Sequence, residues 1–204
     1  MEEQLLAPLA AVSMIGAWFV VCEVAARFAA GAEVELFRKA AHIGGTVLAA
    51  GSLLWVEVID YVLIGLAFAV VMAVLPRFVP LQAMSERVSA GPIAYGLGVA
   101  CAALVAPNAA IFGAALLILG LADTAAVVIG KRWPLRRLRS GKSVGGGLGF
   151  WLIAAMLLAG VGAVAWPLAL AVAVLLALVE LATPGGWDNL SVPAAVAALG
   201  WLMV

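Results

Sequence analysis

Ionisable side chains interrupt apolar runs at widely separated points in this chain, and cations gather beside them. Asp123 lies inside Gly120-Leu-Ala-Asp123-Thr-Ala-Ala-Val-Val-Ile-Gly130, with apolar neighbours on both sides. The loop that follows carries Lys131, Arg132, Arg136, Arg137, Arg139 and Lys142, six of the eleven Lys and Arg, before Gly145-Gly146-Gly147 opens the next apolar run. A carboxylate at such depth costs about 2.5–3.5 kcal/mol to insert in a bilayer, so it is usually paired and usually functional. Glu180 ends a later apolar run, and Asp188-Asn189 follow the turn Pro184-Gly185-Gly186. Upstream, Glu35, Arg38 and His42 fall on one helical face, with Lys39 beside His42, the sole histidine. Two cations and an imidazole at one helix start suit phosphate oxygens. Together with Asp123, Glu180 and Asp188 they form the set that takes Mg²⁺ with a nucleotide, because Mg²⁺ uses few carboxylates and shares phosphate oxygens.

Some of these residues have a second role open to them. Gly141-Lys142-Ser143 invites comparison with a phosphate-binding P-loop, but that motif needs glycine at position 136, which is Arg, and a preceding strand. What remains is a Gly-rich turn at a helix N-terminus, where the backbone N–H groups of Gly145 and Gly146 can meet an anion beside Lys142. Asp188 can ligate a metal or cap the last helix. Arg136, Arg137 and Arg139 serve equally as membrane anchors or as contacts to anionic head groups. Tyr95, one turn inside the helix that begins at Gly91-Pro92, is a weaker candidate for facing the same site.

The elements that must position these groups are membrane helices. The chain has 204 residues, of which 67% are hydrophobic and 11% charged, against about 45–50% and about 25% in ordinary globular domains. An all-α, polytopic transmembrane bundle is expected, a single integral-membrane domain over residues 1–204 with no soluble domain or linker. About eight spans are expected, at 5–26, 38–55, 58–75, 91–106, 109–130, 147–165, 167–183 and 189–204. The acidic start, Glu2-Glu3, is wrong for a cleaved signal, so the first segment is expected to remain as a span. Cys22 and Cys101 read as small core hydrophobes. Arg27, Arg38, Lys39, Arg77, Arg87 and the six cations of the fifth loop all fall on odd-numbered connections. The positive-inside rule then makes that side cytoplasmic and puts both termini outside. Asp123, Glu180, Asp188, Lys142 and the Arg38–His42 cluster come to one cytoplasmic level, and no nucleic-acid partner is expected.

These segments resemble the membrane-embedded CTP-dependent lipid-alcohol kinases: dolichol, phytol and farnesol kinases and the yeast-type diacylglycerol kinase. The resemblance rests on Glu35-Leu-Phe-Arg38-Lys39-Ala-Ala-His42-Ile-Gly44, on Gly91-Pro-Ile-Ala-Tyr95-Gly-Leu-Gly98, and on Ala122-Asp123 through Gly130-Lys131. Gly141-Lys142-Ser143-Val-Gly-Gly and Glu180 through Gly186-Trp187-Asp188-Asn189-Leu190 and Pro193 complete it. It implies that the Arg-Lys-x-x-His, Ala-Asp and Lys-Ser-x-x-Gly positions belong to a CTP and metal site. Members commonly show Glu or Ala where this chain has Gly145, so any chemistry done by a side chain there is absent here.

The resulting expectation is an integral-membrane enzyme, set in a prokaryotic cell membrane, that transfers the γ-phosphoryl group of CTP to a membrane lipid alcohol with Mg²⁺. CTP follows from the resemblance alone. Asp123 would bind Mg²⁺ or accept the hydroxyl proton, and Glu180 and Asp188 would complete the metal shell. Lys142, Ser143, Gly145 and Gly146 would hold phosphates, with Arg38, Lys39, His42 and Asn189. Two alternatives stand beside it. A CTP:phosphatidate cytidylyltransferase-like enzyme would use the same metal and nucleotide. A small transporter would place Asp123 and Glu180 in an ion pathway.

Overall fold

The computed structural model describes residues 2–83 and 90–204, so Arg87, one of the cations used to orient the chain, lies outside the described residues. The described chain is helical, with no named strand: α1 (Glu2–Arg27), α2 (Ala32–Ser52), α3 (Asp60–Val74, continued by a 3₁₀ turn Leu75–Arg77), α4 (Gly91–Val105), α5 (Ala109–Arg132), α6 (Val144–Gly160), α7 (Trp166–Ala182) and α8 (Asp188–Gly200). Three of these are long and apolar enough to cross a membrane: Leu5–Arg27 of α1, Asp60–Arg77 with the 3₁₀ turn, and Ala109–Arg132 of α5. The eight expected segments therefore coincide with helices, but not every helix is a full span. At 13 residues, α8 is about 20 Å long at 1.5 Å per residue, short of a hydrocarbon core of about 30 Å.

One boundary differs from expectation in a way that affects the site. The second helix begins at Ala32, not at 38, so Arg38, Lys39 and His42 sit in its second and third turns. Glu33 and Glu35 occupy its first turn, where negative charge favours the N-terminal end of the helix dipole.

Close packing explains the glycine content. Gly65 of α3 and Gly96 of α4 face each other, and a Cβ on Gly65 would lie 2.5 Å from the Gly96 carbonyl and 2.8 Å from Ala100 N. Each glycine is followed four residues later by alanine (Ala69, Ala100), the small-xxx-small pattern that lets membrane helices approach at backbone distance. Gly98 likewise brings α4 against the Asn189 carbonyl of α8. The core lies around α5, whose Ile111, Phe112, Leu116, Ile118 and Leu119 are fully enclosed by neighbouring helices. By contrast α1 packs chiefly on α2. Trp18 donates its indole N–H to the Ala40 carbonyl (3.1 Å) and lies over Gly44, while Phe19 lies over Gly45.

Candidate functional site

Helix α5 is irregular where the chemistry sits. Ile118–Ala122 form a π turn immediately before Asp123, a feature common at functional sites because it frees backbone groups and re-aims the next side chain. His42 of α2 bonds the Leu119 carbonyl of that turn through Nε2 at 2.8 Å, and the same nitrogen lies 3.8 Å from Asp123 Oδ2. Since a carbonyl only accepts, Nε2 carries the proton. The approach depends on Gly120, where any Cβ would run into Thr46 Oγ1. Thr46 turns its hydroxyl back to the Ile43 carbonyl at 2.8 Å.

Lys142 arrives from a tight hairpin. Arg137 and Ser143 form an isolated antiparallel bridge, Leu138 N bonds the Lys142 carbonyl at 2.8 Å, and Val144 N bonds the Arg136 carbonyl at 2.9 Å. Gly141 makes the reversal at φ 84°, in the left-handed region that glycine enters without penalty. The Lys142 ammonium reaches the end of α7 and the start of α8. It donates to Asp188 Oδ2 at 2.6 Å, to Glu180 Oε1 at 2.8 Å and to the Glu180 carbonyl at 2.5 Å. Burial works against that charge, but the Asp188 carboxylate and then Glu180 outweigh it and hold the Lys142 ammonium above the usual lysine range.

Three carboxylates converge here. Asp123, Glu180 and Asp188 each offer an oxygen within 4.8 Å of the others. Glu180 is 4% exposed, and its Oε2 has no hydrogen-bond partner among the described residues. A buried carboxylate oxygen left unpaired is costly, and a bound cation is one standard way of satisfying it. Asp188 is not the cap of the last helix, since Trp187 holds that position without a side-chain cap bond; its Oδ1 accepts from the adjoining Asn189 N at 3.1 Å and its Oδ2 from Lys142.

A cavity of about 260 Å³ opens beside these groups. Arg38, Lys39, His42, Asp123, Lys142, Asp188 and Asn189 all line it, so residues from four separate stretches of sequence meet in one cavity. Arg38 is paired with Glu35, and Glu35 also receives Lys131 of α5 at 3.7 Å. Asn189 spends its Nδ2 on the Gly91 carbonyl at 3.1 Å, joining α8 to the start of α4. Glu23 of α1 fixes the segment after α3, accepting from Gln82 N at 2.7 Å and Ala83 N at 2.9 Å, which brings Ala83 to the rim.

The expected phosphate cradle at the start of α6 is not formed. Gly145 N bonds the Pro134 carbonyl at 3.1 Å, Gly146 N bonds Ser143 Oγ at 3.1 Å, and Gly147 N bonds the Ser143 carbonyl at 3.0 Å. With Val144 N on Arg136, the first N–H groups of the helix are all satisfied within the protein. Ser143 is the N-cap of α6 and is not among the residues that line the cavity. Gly145 and Gly146 are buried against the carbonyls of Trp133 and Ala126, outside the cavity. Glycine is required there for packing. Missed by the sequence reasoning were Gly185 and Gly186, which line the cavity with positive φ (69° and 84°), and the aromatic side chains Phe19 and Phe68. The Pro-Gly-Gly turn signalled the glycines; nothing local distinguished the two phenylalanines from ordinary lipid-facing residues.

Comparison with protein-family models, with curated proteins and with solved structures finds no match for this chain.

Proposed function

We propose that the protein is an integral-membrane phosphotransferase that moves the γ-phosphoryl group of a nucleoside triphosphate, CTP by the sequence resemblance, to the hydroxyl of a membrane lipid alcohol. The observation that carries this reading is the convergence of Asp123, Glu180 and Asp188 within 4.8 Å beside a cavity lined by Arg38, Lys39 and Lys142. Phosphoryl transfer requires mainly positioning and charge neutralisation, and the cavity has the means for both. The hard oxygen donors suit Mg²⁺, and the unpartnered Glu180 Oε2 leaves one of them open to ligate it. Asp123, Glu180 and Asp188 would hold it, and it would supply neutralisation of phosphate charge.

The chain's own residues divide the remaining work. Lys39 makes no ion pair among the described residues and stands ready for phosphate oxygens; Arg38 lines the same wall. Asp123 is the one carboxylate of the three that Lys142 does not bond, so it is the one free to accept the hydroxyl proton. In the transfer, the alcohol oxygen bonds the γ-phosphorus as the bridging Pγ–O bond breaks, and the nucleoside diphosphate leaves. His42, bonded to the Leu119 carbonyl of the π turn that precedes Asp123 and 3.8 Å from its Oδ2, acts as a positioning residue.

Orientation follows from charge. The cations of the described chain lie near the C-terminal ends of α1, α3 and α5, near the N-terminal end of α2 and in the connection from α5 to α6, and Arg38, Lys39 and Lys142 line the cavity itself. With the positive-inside rule, this favours a cytoplasmic cavity, outward termini and eight membrane-embedded helices, the shorter ones shielded by neighbours. The test is purified protein in detergent with radiolabelled CTP or ATP and a panel of lipid alcohols, resolving the products. Phosphorylated alcohol with nucleoside diphosphate supports the proposal. Pyrophosphate release points instead to cytidylyl transfer, and absence of any nucleotide turnover across the panel refutes the enzyme reading.

A further inference from the structure

The cavity has two chemically different ends. Beside the carboxylates and cations, its lining includes rings in series: His42 to Tyr95 at 5.5 Å between centroids, Tyr95 to Phe68 at 5.4 Å, and Phe68 to Phe19 at 5.5 Å. This row runs from the side chain next to Asp123 outward to α1 and α3, the two helices whose remaining faces are most freely exposed. Leu63, Leu66, Val70 and Val71 of α3 and Val20 and Val21 of α1 are all exposed. Because α1 is seated on α2 and touches α3 at few points, the boundary between α1 and α3 near the cavity is closed by the Phe19–Phe68 ring contact.

From this geometry we propose that Phe19, Phe68 and Tyr95 form the subsite for the apolar chain of the acceptor, which enters from the bilayer between α1 and α3 with its hydroxyl leading towards Asp123. The proposal rests on the phosphotransfer reading for the identity of the hydroxyl end and commits to one occupant, a single-chain alcohol dissolved in the membrane. A chain leaving the cavity past Phe68 meets lipid, not water, on both sides, so its apolar surface stays buried along the whole route. The rings give a row one aromatic side chain wide, which accommodates one chain and offers flat faces for packing. The polar end receives a nucleotide from the opposite side, past Gly185 and Gly186, where a glycine Cβ position at 185 faces open space.

The experiment reads binding directly. Phe68 is replaced by p-benzoylphenylalanine in the full chain, which is irradiated in phosphatidylcholine bicelles with tritiated geranylgeraniol; a second protein carries the photoprobe at Leu63, on the lipid-facing side of α3. Label at position 68 is expected to be lost on adding excess unlabelled alcohol, while label at 63 is unchanged. Label at 68 that resists competition, or is competed equally at 63, overturns the subsite. In turnover assays Phe68→Ala should raise the KM for the alcohol roughly tenfold with the nucleotide KM unchanged; equal effects on both overturn the division of the cavity. Competed label without phosphoryl transfer from any nucleotide leaves the alcohol subsite standing and refutes the kinase reading, so the two fail separately.

Discussion

Lys142→Met should make the protein bind a free divalent cation more tightly while abolishing turnover. The Lys142 ammonium lies 2.6 Å from Asp188 Oδ2 and 2.8 Å from Glu180 Oε1, on two of the three carboxylates that converge within 4.8 Å. A cation entering that cluster alone has to displace it. Charge-assisted hydrogen bonds contribute about 1.5–3 kcal/mol each, so giving up two costs on the order of 3–6 kcal/mol. At 1.4 kcal/mol per tenfold, free-cation affinity in the wild type is depressed by about a hundred- to ten-thousandfold. A polyphosphate removes the obstacle by offering the ammonium other oxygens, so cation and nucleotide should bind with strong mutual assistance. The assay is Mn²⁺ binding by electron paramagnetic resonance in detergent, without and with nucleotide, on wild type and Lys142→Met. Lys142→Gln serves if Met proves too unstable. Weak binding is expected for wild type alone, tight binding for wild type with nucleotide, and tight binding for the variant without it. Without metal the variant should be less stable by about 3–5 kcal/mol, because Glu180 is left buried without its partner, and Mn²⁺ should restore its melting temperature. Equal Mn²⁺ affinity for wild type and variant in the absence of nucleotide would refute the competition.

Three further outcomes follow from the same geometry. Asp123→Asn should lower kcat by about 10²–10⁴ with little change in melting temperature, because the side chain is part-exposed and His42 Nε2, at 3.8 Å, is beyond hydrogen-bond distance; retained turnover removes Asp123 from the mechanism. Ser143→Ala should destabilise by about 1 kcal/mol through loss of the α6 cap while leaving the nucleotide KM unchanged in the folded protein, and a large rise in that KM would restore Ser143 as a phosphate ligand. Gly65→Leu should destabilise by about 3 kcal/mol or more, since there is no room for a side chain against Gly96 and Ala100; thermal unfolding in detergent checks it, and a melting temperature like that of wild type would refute the close α3–α4 crossing.

Composition and periodicity were sufficient to mark the helices, because a run that is apolar for fifteen or more residues has few other ways to satisfy its backbone. The polar residues near Asp123 were legible for the related reason that an ionisable group in an apolar run needs a partner. Which partner was not legible. Lys142 read as a phosphate ligand and proves to be seated between Glu180 and Asp188, 38 and 46 residues further on. Gly145 and Gly146 read as an anion cradle, yet the Pro134 carbonyl and the Ser143 hydroxyl take their N–H groups first. Nor can sequence distinguish a phenylalanine facing lipid from one facing a cavity, because both lie in the same apolar stretch. Sequence alone determined which groups were too costly to leave unpaired. Tertiary packing decided how they were paired, since contacts between distant segments depend on helix crossings set by single glycines such as Gly65, Gly96 and Gly120.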